Sequence, residues 1–189
     1  MKKEEVRDIY LSLRSGRVLR GCIEFTFKNH NKRLLDDKWE CTLYCNGKSC
    51  AFIPYEPPFG ECFMDVRDGY AIKLFVKFLA MLYAQEVDLP AGCNLFKHNT
   101  PVVAMLLQNG YLRKLPDDDG VVFNPRVVNN FQELCKIALI FGYAIQPQLE
   151  IIEYSERYKD MLEFEIDCGH EIPQQRIMFA IRRVGYFGV

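Results

Sequence analysis

Trp39-Glu-Cys41-Thr-Leu-Tyr-Cys45-Asn46-Gly47-Lys48-Ser-Cys50-Ala-Phe-Ile53 is the stretch that decides the fold. Asn-Gly between two strand-like runs is the strongest short signal for a hairpin, because a type I′ turn needs positive φ at both central residues. A two-residue turn at Asn46-Gly47 sets Cys45 opposite Lys48 and Leu43 opposite Cys50. Cys41, Leu43, Cys45, Cys50 and Phe52 are then expected on one face. The hairpin follows Gly21–Phe27, where Ile23, Phe25 and Phe27 alternate with Cys22, Glu24 and Thr26. That alternation adds a half-buried strand over 18–27 and makes a three-stranded antiparallel meander.

Outward from the meander, the patterns become helical. Val6, Ile9, Tyr10 and Leu13 recur at helical spacing over 3–14, and Gly16 is a stop. Pro54, Pro57, Pro58 and Gly60 end the sheet. Residues 67–84 read as a long helix, apolar nearly all round. Lys73, Lys77, Ala80 and Ala84 are its single polar-or-small stripe, so a place at the centre of the core is expected. Thr100-Pro101 opens a shorter helix that ends near Gly110. Strand-like runs at 111–115 and 121–123 flank the acidic turn Pro116–Gly120. A further helix spans about 129–141, with Asn130 and Glu133 as a capping pair and Gly142 as its stop. Residues 149–154 and 161–167 read as strands, and 173–184 as a final helix with Ile177, Ala180, Ile181 and Val184 as its stripe.

The expected class is α+β: an N-terminal helix and meander, an apolar helical middle, and a C-terminal β-hairpin plus helix. The length of 189 residues suits a single domain, divisible into a β unit at 1–60 and an α+β unit at 61–189.

Charge narrows the functions. The net charge of −1 supplies no global field for nucleic acid. Residues 1–34 nevertheless carry nine basic and four acidic groups, while the rest of the chain is net negative. A basic face built from Arg14, Arg17, Arg20, Lys32 and Arg33 is therefore the expected contact surface. Tyr55 and Phe59 of the proline-rich loop join it, because aromatics beside Arg are typical interface anchors. The expected partner is a protein; nucleic acid, reached through the same basic segment, is less favoured. The helix at 101–108 has no Arg, Lys or Asn to read bases, and Asp117, Asp118 and Asp119 would repel phosphate. No apolar run is long enough to span a bilayer, and residues 1–15 lack the apolar core of an export signal. A cytoplasmic protein with reduced cysteines is expected.

Two chemistries compete with plain binding. Cys41, Cys45, Cys50 and Cys62 have the ligand types of a tetrahedral zinc site, though gaps of three, four and eleven residues depart from the usual Cys-x₂-Cys knuckle. The interleaved Leu43 and Phe52 favour a packed core instead. Gly60-Glu61-Cys62-Phe63 resembles, over four residues, the nucleophile region of papain-like thiol hydrolases, without the glutamine that usually precedes such a cysteine. The resemblance implies a Cys62 nucleophile and a histidine base, either His98 or His170, with Glu171 or Asp167 orienting the ring. No phosphate loop, dinucleotide fingerprint or zinc-protease motif is present. The expected function is that of a non-catalytic accessory or regulatory protein that binds another macromolecule, with no cofactor. A thiol-dependent hydrolase or transferase is the first alternative and a zinc-stabilised binding module the second.

Overall fold

In a computed structural model, the protein is described over residues 2–28, 38–55, 63–90, 92–117, 120–124, 131–148 and 171–185. It is an α+β fold with a five-stranded antiparallel sheet in the order β3-β2-β1-β7-β6. Helix α1 (Lys3–Arg14) leads into β1 (Leu19–Lys28), β2 (Lys38–Cys45) and β3 (Lys48–Tyr55). Helix α2 (Phe63–Glu86) follows, then α3 (Pro101–Gln108) and a small hairpin of β4 (Leu112–Lys114) and β5 (Val121–Phe123). Helix α4 (Phe131–Phe141) leads into β6 (Tyr143–Gln148), and β7 (Glu171–Arg183) closes the sheet.

One face of the sheet builds the core. Leu19 and Ile23 of β1, Cys41, Leu43 and Cys45 of β2, and Ile177, Phe179 and Ile181 of β7 are buried with α1, α2 and α4 against them. The ring of Phe179 lies over Gly21 and meets Phe75 of α2 edge-on at 4.5 Å. Only glycine fits at position 21: a Cβ there would overlap both the Phe179 ring and the Tyr44 carbonyl oxygen. Glu86 and Arg183 form a buried ion pair, and Arg183 also donates to the Tyr10 hydroxyl at 3.4 Å. This cluster ties α1, α2 and β7 at one end of the core. Burial pulls the Arg183 guanidinium down and the Glu86 carboxylate more than offsets it, so the net direction is up.

The meander stands as the sequence indicates. Asn46 and Gly47 take φ of 51° and 76°, and Cys45 pairs with Lys48. The register then departs from the ideal. A bulge leaves Cys50 unpaired, so Leu43 faces Ala51 and Thr42 faces Phe52. The expected alignment of Leu43 with Cys50 and of Phe52 with the cysteine row does not hold, yet Cys50 remains buried.

The C-terminal segment is the clear correction. Residues 173–184 are not a helix: they belong to β7, the strand between β1 and β6. The stripe Ile177, Ala180, Ile181 and Val184 fits helical spacing, but Ile177, Phe179 and Ile181 also alternate. Pairing on both sides decides between the two periods, because it satisfies every ladder and buries the alternating set. Its hairpin partner β6 contains Pro147, which an edge strand tolerates because one side of its backbone is unpaired. The strands expected at 149–154 and 161–167, and Asn130 of the expected cap, lie outside the described residues.

Candidate functional site

A cavity of about 560 Å³ opens between α1, α2 and the loop that follows α2. Its floor is the polar-or-small stripe of α2: Lys73, Lys77, Ala80 and Ala84 all line it. That stripe is legible in the sequence, but it borders an opening and not a neighbouring helix. Val76 and Met81 widen the floor, Lys3 and Val6 of α1 form one wall, and Leu89, Leu95 and Phe96 the other. Phe123 of β5 packs edge-on against Phe96 at 5.1 Å and completes the rim. The volume falls in the ~300–1,000 Å³ range of small-molecule sites, and so does the pattern of apolar walls with a few polar groups. Lys3, Lys73 and Lys77 are exposed at the edge, and no carboxylate is among the described residues that line the cavity.

The loop after α2 brings chemistry to this wall. Asp88 and Gly92 adopt positive φ and reverse the chain, and the Cys93 amide donates to the Pro90 carbonyl at 3.1 Å. Asn94 caps a single 3₁₀ turn, Leu95–Lys97, by accepting from the Phe96 amide. Because a 3₁₀ turn closes in three residues, the residues flanking it return to the same side. Cys93 Sγ and His98 Nε2 stand 2.6 Å apart, both half-buried, with Cys93 on the cavity wall. A thiol hydrogen-bonded to an imidazole is the minimal nucleophile–base pair.

The expected site residues meet different fates. His98 is paired, but with Cys93. Cys62 and His170 lie outside the described residues, and Glu171 opens β7 opposite Lys28. Cys93 is not singled out by sequence reasoning. Its one signal is a cysteine and a histidine on either side of a short run within a Pro-, Gly- and Asn-bearing loop, which carries meaning only once that loop is seen to turn back.

The hairpin thiols are core. Cys41 is fully buried and Cys45 and Cys50 are each 2 % exposed. Burial pushes the Cys41 thiol up to about 12. The Cys45 thiol is raised by its hydrogen bond to Cys50 and then by burial. Cys50 also donates to the Lys48 carbonyl at 3.3 Å. Cys41 and Cys45 are four residues apart on one strand, roughly 13 Å, too far for both to hold one zinc ion at ~2.3 Å. Among the described residues, no group of three His, Cys, Asp or Glu is placed to hold a metal.

Three arginines of the expected basic face lie among the described residues. Arg14 leans over the Tyr10 ring at 5.8 Å, Arg17 is exposed in the turn after α1, and Arg20 stands on the outer face of the sheet. Tyr55 ends β3 opposite Trp39, while Lys32, Arg33 and Phe59 lie outside the described residues. No described helix is long and apolar enough to cross a membrane. No protein-family model, curated protein or solved structure matches the chain.

Proposed function

We propose that the protein works by binding, as a small accessory or regulatory protein, and that the cavity between α1, α2 and the described residues of the loop after α2 is its principal site. The ligand class that suits it has an apolar body and an anionic head. One observation carries this reading: Lys3 and Lys77 edge an apolar cavity, and no described residue lining it is a carboxylate. Apolar walls reward a buried chain with about 0.8 kcal/mol per CH₂, and the ammonium groups select the sign of the head. The described cysteines are all free thiols, which supports a reducing, cytoplasmic setting.

The test uses anilinonaphthalene sulfonate as a reporter and dodecanoate, below its micelle concentration, as competitor. Dodecanoate should displace the dye from the wild type. Lys3→Glu with Lys77→Glu should weaken it at least about tenfold, or ~1.4 kcal/mol. Ala84→Phe should obstruct the cavity, and Arg20→Glu should change nothing. Equal affinity in the double charge reversal would reject the cavity as the site.

A second reading, docking of an acidic protein partner, is favoured by the outer sheet face. Arg20 and Arg182 are exposed there on neighbouring strands, beside the cross-strand ion pair of Glu24 with Arg176 at 2.5 Å. Reversal of Arg20 and Arg182 to Glu separates the two readings, since it leaves the cavity untouched.

A further inference from the structure

We propose that Cys93 is a catalytic nucleophile, with His98 as its base, which accepts the acyl group of an acyl thioester held in the cavity. This rests on the cavity binding an apolar chain with an anionic head. Three features of the site converge on that substrate class. The apolar floor of α2 suits an acyl chain, and Lys3 and Lys77 suit an anionic carrier such as one bearing phosphates. Cys93 lies on the same wall with its sulfur 2.6 Å from the His98 Nε2.

The leaving group narrows the class further. Among the described residues no carboxylate is hydrogen-bonded to His98, so the pair lacks the third member that supports attack on poorly activated amides. A thioester needs less, because its leaving thiolate is far less basic than an alkoxide or an amide anion. In the step, His98 Nε2 takes the Cys93 proton and the sulfur bonds to the carbonyl carbon. The carrier's carbon–sulfur bond then breaks, and the departing sulfur takes the proton back from His98. The products are S-acyl Cys93 and the carrier thiol, with no net redox change. Water, deprotonated by the same imidazole, can then attack the acyl carbon, and the products are a carboxylic acid and the regenerated thiol.

The full-length protein is incubated with dodecanoyl-coenzyme A and followed by intact mass and peptide mapping. The expected result is one dodecanoyl group on Cys93, removable by hydroxylamine and absent in Cys93→Ser. His98→Asn should slow its appearance about 10²-fold, the usual contribution of a positioned base. The non-transferable thioether analogue of the same donor is titrated in parallel by dye displacement. If the analogue binds, Cys93 stays unmodified and no free coenzyme A is released from the thioester, the acyl-transfer inference falls and the binding reading stands. If the analogue does not bind but dodecanoate does, only this inference falls; if neither displaces the dye, the binding reading falls and takes this inference with it. Acylation that persists undiminished in Cys93→Ser, on another thiol, also overturns it.

Discussion

Three thiols crowd the β2–β3 hairpin, and a single one stands in the loop after α2. The crowded three are buried to 2 % exposure or less, and Cys45 and Cys50 hydrogen-bond each other as free thiols. Cys93 is half-buried, borders a cavity, and touches an imidazole. Cysteine on a core-facing strand is a small apolar side chain that fits between larger ones. Reactivity needs instead a place where core meets solvent, and a partner to take the proton.

The sharpest test of that contrast is native-state alkylation by iodoacetamide at pH 7.5. Cys93 should react first, and His98→Asn should slow it. Cys41 should be protected by at least ~10³-fold, since its labelling requires opening of core strands at a cost near that of global unfolding, while Cys45 and Cys50, which are 2 % exposed and border a small pocket, should lag behind Cys93. Peptide mapping by mass spectrometry reads the order. Early labelling of Cys41 or Cys45 would break the comparison at its root.

Two glycines extend the contrast to the backbone. Gly21 pairs with Cys45 and lies beneath Phe179, so Gly21→Ala drives a Cβ into a ring and a sheet carbonyl. Overpacking without room to relax should cost at least ~3 kcal/mol, a Tm loss of roughly 6–12 °C for a chain of this size. Gly92, next to Cys93, has open space where a Cβ would stand but holds φ at +77°. Gly92→Ala should cost only about 1 kcal/mol of backbone strain. Its larger effect should be on the Cys93 alkylation rate, because the strain is relieved by moving the loop. Thermal denaturation and the same labelling assay separate the two outcomes. Comparable Tm losses would show that the loop is packed as tightly as the sheet.

What the sequence discloses follows the range of the interaction. The Asn46-Gly47 turn, the Thr100-Pro101 start of α3, and the Gly16 and Gly142 stops are set by neighbours a few residues away, and each stands where the pattern puts it. β7 is misread because its identity is conferred by β1 and β6, whose hydrogen bonds a helical stripe does not anticipate. The Lys73, Lys77, Ala80 and Ala84 stripe is visible, but a stripe becomes a cavity only when α1, Leu89 and the 92–96 segment stand off from it. The Cys93–His98 pair is local, yet no periodic pattern marks it, because a loop reversal has no repeat.

A pH-dependent effect reports how buried Cys41 is. Its thiol is raised to about 12 by burial, above the ~8.5 expected in an unfolded chain. Below about pH 8.5 both states keep the proton, and the stability associated with this thiol is fully present. As pH rises toward 12 the unfolded chain releases its proton while the folded one holds it, so the folded state loses stability. The slope from one such group is at most about 1.4 kcal/mol per pH unit. Cys41→Ala removes that slope and leaves a small void costing about 1 kcal/mol at neutral pH. Urea denaturation at pH 8 and pH 10.5 should therefore show the variant weaker than the wild type at the lower pH and stronger than it at the higher one. A gap that stays constant would mean that the Cys41 thiol ionises alike in both states, and that the hairpin core admits water as the Cys93 loop does.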